Sequence, residues 1–314
     1  MNPVIEALLP IIETDPLPEA DTSTHWRLHG EKTTVKRGDG DDLLLDGVGF
    51  GAMESGRSRH LFGAIERWSY RSVTNSLVSY PSLMQVAKNI AQDLSFGLTF
   101  DVWKQTVALG LLKDHWDERG LTPKTFALIG DGYGFQGALI HRLFPQARLY
   151  CIDLPKILIF QARTHELADS NAKMSLLVNG SEATHINFVQ PRDVEGIADT
   201  IDCALNMASM GEMKASSIAA YFDFLRRRST ETSRFYCVNR RRKELPDGDV
   251  TIFSEYPWSD EDEVFIDGPC PYYTHTVDPH TLAEGPTVLG MRVPFVNYFV
   301  GEFLHRLVRL APAG

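Results

Sequence analysis

Cysteine is scarce in this chain of 314 residues: Cys151, Cys203, Cys237 and Cys270 are the four present, and no two form a CxxC pair. That spacing excludes a disulfide-stapled small fold and the common structural zinc sites. Three of the four fall in apolar runs read as strands, so all are expected to be reduced, buried small hydrophobes. Positive charge is also in short supply. There are 31 Lys and Arg against 41 Asp and Glu, a formal charge of −10, which argues against a general nucleic-acid binder, because such surfaces are basic. Long apolar runs are missing as well. The most apolar stretch, Val293 to Leu310, carries Glu302, His305, Arg306 and Arg309 spaced as on one polar helix face. It predicts an amphipathic core helix rather than a membrane span. The opening MNPVIEALLPIIETDPLPEAD has no basic n-region, and acids and prolines break its apolar run, so it does not read as a secretory signal. A cytoplasmic protein without membrane contact is the expectation.

What is present is ordinary globular material, 43% hydrophobic and 23% charged, enough for one large core or two smaller ones. Residues 1–50 are rich in Pro, Gly, Asp and Thr, with a turn at Gly38–Asp42, and read as an arm with short elements available to pack on a partner. From Arg57 to about Arg119, Leu61, Ile65 and Trp68, then Leu83, Val86, Ala87, Ile90 and Leu94, recur at helical steps. Gly120 and Pro123 close this half. Two regions are therefore expected: an N-terminal arm and helical region over 1–122, serving as cap or homodimer contact, and a catalytic domain over 123–314.

After Pro123 the chain alternates. Thr125–Ile129, Arg148–Ile152, Ile186–Val189, Ile201–Met207 and Phe235–Asn239 are short apolar runs read as strands. Helical spacing follows the first two, over Gly137–Phe144 and Pro155–Leu167, and a strongly periodic helix lies between the last two. This is the pattern of an α/β fold, a parallel sheet covered by helices on both faces. Such sheets bind ligands outside the carboxyl ends of their strands.

The loop after the first of these strands reads Gly130–Asp131–Gly132–Tyr133–Gly134–Phe135–Gln136–Gly137, and Asp153 stands at the tip of the second. Glycines let a ligand approach the main chain, the following helix offers free N–H groups, and a carboxylate after strand two can accept both hydroxyls of an adenosine ribose. Gly132-x-Gly134-x-x-Gly137 satisfies the dinucleotide fingerprint. Gly130-x-Gly132-x-Gly134 satisfies the S-adenosylmethionine loop of Rossmann-like methyltransferases. The glycines alone leave an NAD(P)-dependent oxidoreductase open.

The loop does not stand alone. Asp153–Leu154–Pro155 follows it, then Asn206–Met207–Ala208–Ser209–Met210–Gly211–Glu212–Met213, the strand Tyr236–Cys237–Val238–Asn239, Tyr256–Pro257–Trp258 and Pro269–Cys270–Pro271. Together these residues resemble the sugar O-methyltransferase family, over about Thr125 to Pro271. The resemblance implies a Rossmann-like methyltransferase sheet, S-adenosyl-L-methionine as cofactor, and a sugar-containing small-molecule acceptor. The expected cofactor contacts are Gly130, Asp131, Gly132, Gly134, Asp153, Leu154 and Asn206, with Asn206 placed to orient the acceptor or cofactor or, alternatively, to be a satisfied strand-end amide. One position departs: Leu128 stands where such loops carry an acid, which leaves room for a methyltransferase-like binding protein without turnover.

A sugar hydroxyl is a poor nucleophile at neutral pH, so a general base is expected. Glu212 is the first candidate, because Ser209-x-x-Glu212 follows the fourth strand run. The same residues also spell a capping box before the periodic run Met213, Ile218, Tyr221, Phe222 and Leu225. His275 is the second candidate, in an aromatic loop where a sugar could stack. Ser209, Tyr221 and Asn239 are substrate candidates; the plain alternatives are the capping box for Ser209, a core aromatic for Tyr221 and a turn role for Asn239. His141 and His165 read as surface or packing residues. Arg226–Arg228 and Arg240–Lys243 read as solvated helix and strand ends, or as a clamp for the phosphates of a nucleotide-linked sugar. The acidic run Asp260–Glu263 is placed to neutralise them. No His, Asp or Glu spacing is specific enough to claim a metal.

Overall fold

The structure is a computed structural model and describes residues 2–14, 22–37, 43–46, 70–178, 183–273, 287–292 and 302–312. The chain forms two compact units, residues 1–51 with 123–267 and 305–314, and residues 52–122 with 268–304.

In the first unit the N-terminal segment supplies α1 (Pro3–Thr14), α2 (Thr24–Lys32) and the antiparallel pair β1 (Thr34–Arg37) and β2 (Leu43–Asp46). The alternating region follows as β3 (Thr125–Ile129), α5 (Phe135–Leu143), β4 (Arg148–Ile152), α6 (Pro155–Ala168), β5 (Met174–Leu177), β6 (Ile186–Val189), β7 (Cys203–Met207), α7 (Ala215–Arg228) and β8 (Arg234–Arg240). A short hairpin, β9 (Arg242–Glu244) with β10 (Val250–Ile252), comes next, then β11 (Glu263–Pro269). The second unit contributes α3 (Tyr80–Asp93), α4 (Phe100–Arg119) and the small pair β12 (Thr287–Val288) and β13 (Met291–Arg292). The last strand is β14 (Phe303–Arg309).

The main sheet runs β11-β14-β8-β7-β3-β4-β6-β5, with the six strands from β8 to β5 parallel. All of β6 and all but one residue of β3, β4 and β7 are buried. Successive side chains point to opposite faces, so unbroken burial means that both faces are covered. The chain leaves β3 for β4 on one side and later returns to β7 on the other. The edge beside β3 is therefore the topological switch point of the sheet, where ligands of such folds bind.

The expected α/β class is what the chain adopts, and the strands over 125–129, 148–152 and 186–189 have the expected bounds. All four cysteines are free and buried. The N-terminal arm differs from expectation. It packs within its own chain, with α1 against α6 and β5, and Val4, Ile5, Leu8 and Leu9 are buried. Residues 1–51 thus belong with the sheet, whereas the expected division at 122/123 kept them with the helices; Leu61, Ile65 and Trp68 lie outside the described residues.

The helix expected over Val293–Leu310 is not formed where the chain is described. Residues 303–309 are a strand, with Phe303, His305 and Leu307 on its buried face and Arg306, half-buried on the other, pairing with Asp267 at 2.8 Å. The charged residues follow helical spacing, yet the segment is a strand that puts His305 and Arg306 on opposite faces, and Tyr236 holds the buried His305 ring by a hydrogen bond at 3.0 Å. β5 escaped the sequence reading because Met174–Leu177, at the edge of the sheet, is interrupted by the polar Ser175 and fully buries only Leu177.

In the second unit, α3 and α4 pack side by side. Asp114 on α4 accepts hydrogen bonds from the amides of Val78 and Ser79 at the start of α3 (2.7 and 2.9 Å). Tyr70 stacks on Trp103, and Tyr273 on Phe303. Among the described residues no helix is long and apolar enough to cross a membrane.

Because Leu8 is fully buried on α1, Leu8→Ala should destabilise the protein by about 2–5 kcal/mol. Urea denaturation followed by circular dichroism checks this, and a change within the error of the method would mean that the arm is not part of the core.

Candidate functional site

The β3–α5 loop is built on close approach. Gly130 and Gly134 have φ of +74° and +85°, a region that glycine enters without steric cost. A Cβ on Gly130 would lie 2.1 Å from Ser209 Oγ, and one on Gly134 would lie 2.8 Å from the Cα of Gln161. The loop is therefore pressed between the tip of β7 and helix α6, and Gly132 lies on its half-exposed outer part.

Asp131 turns inward. Its carboxylate accepts from the amides of Gln136 (3.2 Å) and Gly137 (2.8 Å), two of the free N–H groups at the start of α5. Burial pushes its carboxyl up to about 7 against the pull of those two amides, with the nearby Asp153 charge adding to the rise. Asp153, at the tip of β4, is raised to about 7 by burial as well. It accepts from its neighbour Leu154 N (2.9 Å) and from Gln161 Nε2 (2.8 Å), and the Gly132 amide also favours its ionised form. Leu154 itself is buried and contributes through its backbone. The buried Gln161 Oε1 has no hydrogen-bond partner among the described residues. Leu128 is buried in β3, and its Cδ1 would lie 3.1 Å from a Cβ on Gly137. An apolar contact at the root of α5 thus occupies the position where an acid is usual.

Asn206, Ser209 and Asn239 come together, as buried partners of one another. Asn206 Nδ2 donates to Ile129 O (2.9 Å) and Ser209 Oγ (2.5 Å), and Ser209 Oγ donates to Ile129 O (3.1 Å). Asn239 Nδ2 donates to Asn206 Oδ1 (2.8 Å), while its own Oδ1 accepts from Gly211 N (2.9 Å). This network ties the tips of β3, β7 and β8 into one rigid ledge. Ala208, within it, is held at φ +66°, strained backbone of the kind that surroundings must enforce.

Glu212 ends the 3-10 turn Met210–Glu212 that follows the ledge. The capping-box alternative is not realised: α7 begins at Ala215 with no side-chain cap, and Ser209 Oγ is engaged by Asn206 and Ile129. The Glu212 carboxylate instead lies 3.3 Å from His25 Nε2 and 3.8 Å from Lys243 Nζ, and its backbone carbonyl accepts from Ser23 Oγ (2.5 Å). His29 packs against His25 with ring centroids 4.4 Å apart. Burial, followed by the His25 charge, lowers the His29 pKa. Among the described residues, the buried Tyr256 hydroxyl has no hydrogen-bond partner, and it would lie 3.7 Å from a Cβ on Gly211. Burial raises its pKa, with the Cys237 and Glu212 charges adding to the rise.

The other candidates separate from this site. Tyr221 is buried on α7 with Ile218, Phe222 and Leu225, the core-aromatic alternative. His141 pairs with Asp169 at 3.1 Å, and His165 is fully buried, which lowers its pKa to about 3. Arg226 grips Asp262 through two contacts (2.6 and 3.0 Å) and also donates to the carbonyls of Pro257 and Ala311. Arg227 pairs with Glu195. These two arginines are engaged inside the chain and are not a phosphate clamp. His275 lies outside the described residues.

Sequence reading missed His25, His29 and Gln161, and it considered Lys243 only within a basic run and not as a neighbour of Glu212. The i, i+4 pair in Thr24–His25–Trp26–Arg27–Leu28–His29 was the available signal, since that spacing puts both rings on one helix face. The long separation from residue 212 concealed its target.

No protein-family model matches the chain, and no curated protein matches it. Solved structures of methyltransferases do show likeness. A Nostoc punctiforme protein named as a candidate O-methyltransferase is 12% identical, covering 63% of this chain and 54% of its own, with a TM-score of 0.35. The N-methyltransferase NodS from Bradyrhizobium japonicum is 11% identical over 68% of this chain and 97% of its own, TM-score 0.39. An S-adenosylmethionine-dependent methyltransferase from Clostridium acetobutylicum is 11% identical over 64% and 89%, TM-score 0.39. This chain spans about half the length of the Nostoc protein. At these identities and scores no substrate or cofactor is carried over from any of them.

The raised carboxyls have a consequence for stability. A folded-state value near 7, above the ordinary 3.8, means that the folded protein holds a proton the unfolded chain has released. The stability this contributes is full below about pH 4 and lost as pH rises through about 7. Asp153→Asn should therefore gain stability on the wild type between pH 4.5 and 7.5. Urea midpoints at the two pH values read this directly, and a constant difference would contradict it.

Proposed function

We propose that the chain is an S-adenosylmethionine-dependent O-methyltransferase acting on a hydroxyl of a sugar or glycosylated small molecule. The observation that carries the cofactor choice is the position of Asp131. A dinucleotide needs the helix N-terminus after the glycine loop for its pyrophosphate. Here the amides of Gln136 and Gly137 already bind a carboxylate, and a second acid, Asp153, stands close by. A pyrophosphate would therefore find those amides occupied, whereas a nucleoside held through its hydroxyls does not need them.

The residues present fit the nucleoside. A carboxylate offers about four acceptor positions. Leu154 N, Gln161 Nε2 and the Gly132 amide use three of these at Asp153. The remaining lone pair and the unpartnered Gln161 Oε1 supply two acceptors for a vicinal diol. Asp153 and Gln161 would hold the ribose, and the half-exposed loop at Gly130–Gly132 would face the rest of the cofactor. When bound, the cofactor supplies an electrophilic methyl group.

The ledge of Asn206, Ser209 and Asn239 positions the β7 tip, and Glu212, with its neighbours His25 and Lys243, stands on the acceptor side. The choice of a sugar rests on the motif resemblance from Thr125 to Pro271. Positioning a hydroxyl in line with the methyl carbon is worth several kcal/mol by itself.

Titration calorimetry with S-adenosylhomocysteine should show binding that weakens at least ~10-fold, about 1.4 kcal/mol, in Asp153→Ala. NADH should give no heat. Heat with NADH and none with S-adenosylhomocysteine would move the reading to hydride transfer. Tight nucleoside binding without methyl release to any sugar or glycoside would make the chain a binding protein.

A further inference from the structure

Helix α2 lies far from the glycine loop in sequence, yet its two ends are fastened on either side of it. At its start, Ser23 caps the helix by accepting from Trp26 N (3.3 Å) and donates its own hydroxyl to the carbonyl of Glu212, just beyond β7. Near its end, the Gly30 carbonyl accepts from Lys156 Nζ (2.8 Å), at the beginning of α6 and three residues beyond Asp153. In the sheet β3 lies between β4 and β7. The seven-residue step from Ser23 to Gly30 spans about 10 Å as helix, and the two strand spacings from β4 to β7 span about 10 Å as well. The helix thus bridges the strand tips that flank the glycine loop, and it brings His25 to Glu212.

We propose that α2 is a wall of the acceptor site and that His25 is its general base, with Glu212 as the positioning residue that orients the ring. This rests on the methyltransferase reading above. The imidazole Nε2 lies 3.3 Å from Glu212 Oε2, which favours the tautomer with its proton on Nε2 and leaves Nδ1 as the acceptor. Histidine is the side chain most often used as a general base. His29 packs on His25 with ring centroids 4.4 Å apart, and burial, followed by the His25 charge, lowers its pKa. In the transfer the acceptor oxygen bonds to the methyl carbon, and the sulfur–carbon bond breaks with its electron pair staying on sulfur. The hydroxyl proton passes to His25, so the products are an ether, a thioether and one imidazolium that the Glu212 carboxylate stabilises.

The test uses the full chain with S-adenosylmethionine and a panel of monosaccharides and glycosides, reading release of S-adenosylhomocysteine. His25→Ala should lower turnover at least ~100-fold. Added imidazole should restore it at least ~10-fold, while calorimetric affinity for S-adenosylhomocysteine stays within about threefold of the wild type. Rescue by a free base is a response that a purely structural histidine would not give. Glu212→Gln should lower turnover less than His25→Ala does. Equal turnover in wild type and His25→Ala, or a loss that imidazole does not touch, overturns the assignment alone. A larger loss in Glu212→Gln than in His25→Ala returns the base to the carboxylate. No release by the wild type on any acceptor removes the activity reading, and this assignment with it.

Discussion

A carboxylate seated on the first free amides of α5 governs what this sheet edge can accept. Helix N-termini beside glycine loops are ready anion sites, and Asp131 fills this one from within the chain, bonded to the amides of Gln136 and Gly137. Those two amides are therefore not free for a phosphate, and Asp153 on the adjoining strand brings a second hydrogen-bonded carboxyl to the same crevice. The loop can hold this shape because Gly130 lies against Ser209 and Gly134 against Gln161, where no Cβ fits.

The second constraint is the buried amide ledge. Asn206, Ser209 and Asn239 satisfy one another and the strand ends, as buried polar groups must. Three strand tips are thereby fixed, and the strained Ala208 between them is held in place. From that ledge the turn Met210–Glu212 projects one carboxylate toward the N-terminal segment. Thr251 supports the turn from the β9–β10 hairpin, donating to the Gly211 carbonyl at 2.8 Å. The surroundings of Glu212 are thus assembled from three separate stretches of the chain.

The sheet was legible in the sequence wherever burial on both faces made compact apolar runs. Thr125–Ile129, Arg148–Ile152 and Ile186–Val189 formed as expected for that reason. Reading failed where tertiary neighbours overrode a helical spacing, as in Phe303–Arg309, whose charges suit a helix and whose neighbours make it a strand. It failed again where a local motif had a stronger distant partner. Ser209-x-x-Glu212 is spelled like a capping box, but Asn206 and Ile129 claim the serine, and His25 and Lys243 claim the acid. The glycine loop and Asp153 were visible as a nucleotide-type crevice. The inward turn of Asp131 was not, because a free helix end and a self-filled one share the same letters. His25 was invisible as a site residue since its partner lies 187 positions away.

The central claim is that the switch-point crevice receives a nucleoside without phosphates. A crystal structure with S-adenosylhomocysteine tests it most directly. The account requires the ribose hydroxyls on Asp153 and Gln161 while the Asp131 carboxylate stays on the α5 amides. A nucleoside found elsewhere, or Asp131 displaced to admit a phosphate-bearing ligand, would contradict it.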